Sequence, residues 1–291
     1  MTQGSLFGNK SFRLLHLSDL HWSSPKFRLG LILSKKILGH SNIVRNKKKR
    51  LKNPDKISIL LDFLKEDNWD VLCLSGDLSH LSEKDEFEQS LRRLTEIKHG
   101  RPIFLIPGNH DRYTANTLRK RKFEEIFGAL SEVDLNLFTE KKYFHALLSD
   151  TCALSCFETT RPTGPVSSSG RHHGKGFEDS DFFPGFDLRG KSGLTKIAMG
   201  HYNLSTASTS LTQGKSHRLI DTAGFLKKLR DASYSYYLHG HIHESWEHDE
   251  GGNLTSINSA GWDKPAAEGG GIHRLNVTAG GEVQVEGIHL F

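Results

Sequence analysis

Residues 103–111 read Ile-Phe-Leu-Ile-Pro-Gly-Asn-His-Asp. The apolar run Ile103–Ile106 is too short for a helix and rich in branched and aromatic side chains, so it predicts a strand buried on both faces. Pro107 and Gly108 stop the strand. The chain then presents an amide oxygen, an imidazole and a carboxylate at Asn109, His110 and Asp111. The same order recurs along the chain. Phe12–Leu17 runs into Asp19-Leu20-His21, and Val71–Leu74 runs into Gly76-Asp77. Lys196–Met199 runs into Gly200-His201, and Tyr234–Leu238 runs towards Gly240-His241-Ile242-His243.

Helical spacing fills the gaps in the first half, with Ile57, Leu60, Leu61 and Leu64 on one stripe and Phe87, Leu91 and Leu94 on another. Strands alternating with helices predict an α/β chain with function placed where the strands end. The second half is richer in strands: Tyr143–Leu148, Cys152–Phe157, Leu254–Ile257, His273–Val277 and Val283–Ile288, with one helix over Arg218–Arg230. Between Thr159 and Gly193 lie seven Gly and three Pro, which predict a flexible surface loop or lid. No repeat or linker divides the chain, so residues 1–291 read as one domain.

Carboxylate, amide oxygen and imidazole are the donors that hard and borderline divalent ions take. In a strand, side chains two apart share a face, so Asp19 with His21 and His241 with His243 each converge. Taken singly, an Asp-x-His or a Gly-Asp is ordinary, and Gly-Asn-His-Asp alone is turn chemistry. Their joint occurrence at strand ends points to a metal site. Seven donors exceed the needs of one ion, and a shared carboxylate lets them hold two ions about 3.5–4 Å apart, a spacing suited to in-line displacement at phosphorus.

The ordered set D-x-H, G-D, G-N-H-D, H and G-H-x-H resembles the signature of the calcineurin-like metallophosphoesterase superfamily, over Phe12 to His243. The resemblance implies a four-layer αββα sandwich of two mixed β-sheets flanked by helices. It implies that Asp19, His21, Asp77 and His243 hold one metal while Asp77, Asn109, His201 and His241 hold the other, with Asp77 bridging. His110 is then the acid that protonates the leaving oxygen, and Asp111 orients it. The implied activity is hydrolysis of a phosphodiester or pyrophosphate by in-line attack of a metal-activated hydroxide. Mn, Fe, Zn and Mg all suit such donors, and Mn is favoured. His201 is followed by Tyr202-Asn203, where many relatives have a proline. Gly76-Asp77 continues as Leu78-Ser79-His80, unlike the protein Ser/Thr phosphatases, and His80 reads as an ordinary loop histidine.

The charge is uneven. The chain carries 39 Lys and Arg against 34 Asp and Glu, a net +5. No acid occurs between Asp19 and Asp55, while Lys26, Arg28, Lys35, Lys36, Arg45, Lys47, Lys48, Lys49, Arg50 and Lys52 do; the remainder of the chain is therefore acidic. This basic insert, about residues 23–53, has the apolar spacing of a basic amphipathic helix at Leu29, Ile32, Leu33 and Ile37. It reads as a solvated face, or as a contact of residues 26–52 with an anionic membrane or lipid-linked substrate. Nucleic acid ranks behind, because few aromatics interleave the charges. The segment also resembles that of UDP-2,3-diacylglucosamine pyrophosphatases of lipid A synthesis, with cyclic-nucleotide phosphodiesterases as a competing subgroup. Both imply a phosphorylated small-molecule or lipid-linked substrate.

Apolar runs are far shorter than the roughly 20 residues of a membrane span. The start, MTQGSLFGNK, lacks a signal-peptide core, and three Cys make no disulfide framework. A cytoplasmic enzyme is the expectation, peripheral at the inner membrane face in the lipid reading. A scaffold on a degenerate phosphoesterase fold is the non-enzyme alternative; it predicts lost ligands, whereas every ligand position here is filled.

Overall fold

The computed structural model describes residues 4–22, 55–162, 169–177, 193–204, 219–262 and 271–290. β1 (Phe12–Leu17), β2 (Val71–Leu74) and β3 (Ile103–Leu105) lie parallel, and β10 (Gly271–Val277) and β11 (Val283–His289) continue the sheet antiparallel beyond β1. The order is β11-β10-β1-β2-β3. The second sheet contains β4 (Tyr143–Ser149), β5 (Cys152–Phe157), β6 (Thr195–Met199), β7 (Tyr236–His239), β8 (Trp246–Asp249) and β9 (Thr255–Asn258). Its order is β4-β5-β6-β7-β9-β8, with a parallel centre and antiparallel edges.

The central strands read as continuous apolar runs because both their faces are covered. In β6, Ile197 and Met199 join Leu14, Leu74 and Leu105 of the first sheet in one buried cluster. Ala198 points the opposite way, into a second cluster with Tyr237. α1 (Asp55–Glu66), α2 (Lys84–Lys98) and α4 (Lys122–Phe127) contribute Leu60, Phe87 and Phe127 to the first cluster. α6 (Thr222–Asp231) lays Phe225 and Leu229 on the second sheet. The chain is thus two mixed sheets flanked by helices, as the motifs implied. No described helix is long and apolar enough to cross a membrane.

Four features differ from the sequence reading. The last long helix begins at Thr222 and not Arg218, because Leu219 is taken up in a bridge with Gly170. β8 was not foreseen: its residues, Trp-Glu-His-Asp, alternate between half-buried and exposed at a sheet edge and carry little apolar signal. α3 (Ala115–Arg119), α4 and α5 (Leu135–Lys141) are too short to show a periodic stripe; Thr114 and Asp134 cap two of them through N–H bonds from Thr117 and Leu137. The described part of the Gly/Pro-rich loop, residues 169–177, packs on the second sheet, where His172 stacks on Phe225 at 4.0 Å. Residues 163–168 and 178–192 of that loop and the basic insert lie outside the described residues.

Candidate metal centre

All the motif residues converge at the carboxyl ends of β1, β2, β3, β6 and β7. The convergence does not come from strand pleating, as the sequence suggested. β1 ends at Leu17 and β7 at His239, before the ligands begin. Asp19, His21, Asp77, His241 and His243 instead adopt left-handed backbone, with φ of 55°, 45°, 55°, 75° and 61°. That conformation is costly for side chains with a Cβ and clusters where function demands it. Cross-sheet amide bonds hold it: Asp19 N–H donates to the Gly76 carbonyl, His21 N–H to that of Asp77, and Trp262 N–H to that of Asp19.

Two groups of donors face each other. In one, His243 Nε2 lies 3.1 Å from Asp19 Oδ1, and His21 Nε2 lies 3.6 Å from the same oxygen and 3.7 Å from Asp77 Oδ2. The two imidazole nitrogens are 3.0 Å apart. In the other, Asn109 Oδ1 lies 2.9 Å from both His201 Nε2 and His241 Nδ1, and His201 Nε2 lies 3.4 Å from Asp77 Oδ2. Asp77 therefore stands between the groups, as expected of a bridge.

The donor set fits divalent cations. Asp19 Oδ1 and Asp77 Oδ2 are buried and have no hydrogen-bond partner, although both carboxylates are ionised. Buried carboxylates need a positive partner, so these oxygens, ringed by imidazoles, suit a cation. Their sister oxygens are engaged by backbone, Asp19 Oδ2 by the His241 N–H at 2.8 Å and Asp77 Oδ1 by the His110 N–H at 2.7 Å. His201 Nδ1 faces the Ser75 carbonyl at 2.9 Å and His21 Nδ1 that of Ser79 at 3.3 Å, which turns both Nε2 atoms inward. The glycines make room. A Cβ on Gly108 would collide with the Asp77 carboxylate, and one on Gly261 would fall 2.5 Å from His243 Cγ.

The family model of calcineurin-like phosphoesterases matches residues 12–245. The chain belongs to that family. It is a metal-dependent phosphoesterase, a hydrolase of phosphoric esters. No curated protein matches the sequence. A dimetal phosphatase from Danio rerio shares the fold at 10% identity and TM-score 0.53, over 97% of this chain and 100% of that one. The purple acid phosphatase of yellow lupin (Lupinus luteus) seeds aligns at 11% identity and TM-score 0.58, over 98% of this chain and 53% of that one. GAP50, the anchor in the inner membrane complex of Plasmodium, aligns at 14% and 0.50, over 96% and 89%. At such identities the likeness shows the fold alone.

In this phosphoesterase the electrostatics follow from burial and imidazole. Burial raises the Asp19 carboxyl, but His243 and His21 override it and hold the group well below the usual range. Asp77 is likewise lowered against burial, chiefly by His201 and His110. Burial lowers His201, yet Asp77 reverses that and lifts it to about 9, so in the metal-free chain a proton sits where a cation belongs. Burial, with His201 beside it, drives His241 down to about 3.

His110 lies at the mouth, its Nδ1 bonded to the His80 carbonyl at 2.7 Å and its ring stacked on Tyr113. Asp111 is fully buried. It accepts from the N–H groups of Leu78, Ser79 and Gly108 and from the Ser79 hydroxyl, so it clamps the two loops together. Arg112 then ties this loop to the second sheet through Glu158, and to α4 and α5 through Glu124 and Thr139. Thr159 accepts the His201 N–H at 3.0 Å. The Ser75 and Ser79 carbonyls escaped the sequence reading because backbone acceptors leave no residue-type signal, and the Thr159 hydroxyl because it reaches His201 from a loop 42 residues away.

Proposed function

We infer that the chain hydrolyses a phosphodiester or pyrophosphate bond at a dinuclear site. Asp19, His21, Asp77 and His243 hold one ion, and Asp77, Asn109, His201 and His241 hold the other. The observation that carries this reading is Asp77 Oδ2, buried, ionised and lying between His21 Nε2 and His201 Nε2 at 3.7 and 3.4 Å. Bound there, two divalent cations supply a nucleophile at neutral pH and screen the phosphoryl oxygens. Manganese is the favoured ion, since a mixed oxygen and imidazole set suits it.

His110 protonates the leaving oxygen from Nε2. Its Nδ1 bond to the His80 carbonyl fixes the ring and leaves Nε2 to carry the proton. In the free protein, burial lowers His110 to about 4, with Asp77 opposing. An anionic phosphoryl group beside the ring adds the charge that favours the imidazolium. Asp111 fixes the loop on which the acid stands, through Gly108.

A lipid-linked substrate at an anionic membrane surface, on the cytoplasmic side, is the second reading, carried by the ten basic residues of 26–52. The test is a panel of cyclic AMP, a UDP-diacyl sugar and single-stranded DNA, assayed with manganese in the presence and absence of anionic liposomes. Liposome-stimulated cleavage of the sugar nucleotide supports the lipid reading, and cyclic AMP cleavage indifferent to liposomes removes it. A chain inert on every diester with every divalent ion removes the enzymatic proposal.

A further inference from the structure

One cluster of donors shares a single residue, His21, with the dinuclear site and is otherwise not used by it. His80, His110 and His21 present ligand nitrogens that all lie within 4.8 Å of one another. Their ring centroids are 4.8 Å apart for His21 and His110, 5.0 Å for His80 and His110, and 5.4 Å for His21 and His80. Imidazoles bound to one tetrahedral ion at Zn–N distances of about 2.0 Å place their centroids roughly 5 Å apart, so the rings already stand at ligating separation. His110 Nδ1 is engaged by the His80 carbonyl, which leaves Nε2 for an ion. His80 and His110 are both half-buried, within reach of solutes.

We propose that His80, His110 and His21 form a further ion site, built of imidazole alone, that takes a borderline transition metal of the zinc class and thereby captures the leaving-group acid. The chemistry separates it from the resident pair. Carboxylate and amide oxygens in the dinuclear set suit manganese or magnesium, whereas an all-imidazole set selects zinc, copper or nickel. An ion bound there ligates His110 Nε2, the atom that would carry the proton. His21 belongs to both sets, so filling the histidine site also loosens the hold of Asp19, His21 and His243 on the first ion. The site stands on geometry, while its effect on turnover rests on the acid role of His110 proposed above.

The experiment uses the full chain loaded with manganese and crystallised, then soaked in zinc, with anomalous scattering recorded at the zinc edge. A zinc peak at ligand distance from His80 and His110 is expected in the wild type. His80→Asn loses that peak and His80→Asp keeps it, and melting temperatures establish that each variant is folded. In solution, raising zinc over constant manganese lowers wild-type turnover of an alkyl diester by about 100-fold, the scale of a lost general acid, and spares His80→Asn. A diester with a nitrophenolate leaving group is suppressed less. No zinc peak at His80, or a peak that survives in His80→Asn, overturns the site. Equal suppression of both diesters, with the manganese anomalous peaks still at full occupancy, overturns the capture of the acid.

Discussion

The peptide N–H of His110 donates to Asp77 Oδ1 at 2.7 Å. The carboxylate proposed as the bridge therefore gives one oxygen to the backbone of the proposed acid and turns the other between His21 Nε2 and His201 Nε2. Positioning of the acid and binding of metal are mechanically one arrangement, and mutations at the two residues separate them.

Asp77→Asn keeps an oxygen for the His110 amide but removes the buried charge between the ions. Metal affinity is expected to fall by more than the 10–100-fold typical of outer-shell changes, with the fold intact. Calorimetric titration with manganese checks this, and wild-type affinity in the variant would contradict the bridge.

His110→Gln retains the metal and loses the acid. Turnover of alkyl diesters drops by about 10²–10⁴ while nitrophenyl diesters, whose leaving group needs no proton, lose little. The ratio of the two rates is the measurement.

Asp111→Ala leaves three backbone N–H groups and a hydroxyl without their acceptor in a buried loop. Each orphaned donor costs on the order of 1–3 kcal/mol, so the variant unfolds at clearly lower urea concentration than the wild type. Asp111→Asn, which still accepts, lies between. An Asp111→Ala midpoint equal to wild type would show that the loops need no clamp.

Acid weakens the metal-free fold through buried histidines outside the proposed ligand set. Burial, with Lys228 and His173 nearby, lowers His172 to about 3; burial with His289 lowers His273 to about 4, and its register partner His16 is lowered as well. Unfolded histidine titrates near 6.5. From pH 6.5 down to 4 the unfolded chain gains protons that the native chain refuses, so stability falls as pH falls across that window. Urea midpoints in the presence of chelator should decline accordingly, and His172→Phe should flatten part of the slope.

The sequence carried the sheets because their strands are buried on both faces: Val71–Leu74 and Cys152–Phe157 appear with the bounds their apolar runs predicted. It carried the ligands because oxygen and imidazole after a strand leave a residue-type signature. It did not carry how Asp19 and His21 converge, since a left-handed φ at a non-glycine residue is set by the surrounding framework and not by local preference. Nor did it place His80, a loop histidine by composition, beside His110, because that contact joins two loops of different strands.

The left-handed ligand residues set this protein's stability against its chemistry. Each non-glycine residue in that backbone region costs on the order of 1 kcal/mol or more. Glycine at position 21 or 241 would relieve that strain and delete a ligand in the same stroke. Selection for heat resistance alone would thus erode the centre, and inactive descendants of this fold should be sturdier than their working ancestors. An engineer seeking a tougher enzyme should leave these turns untouched and reinforce the far ends of the sheets instead.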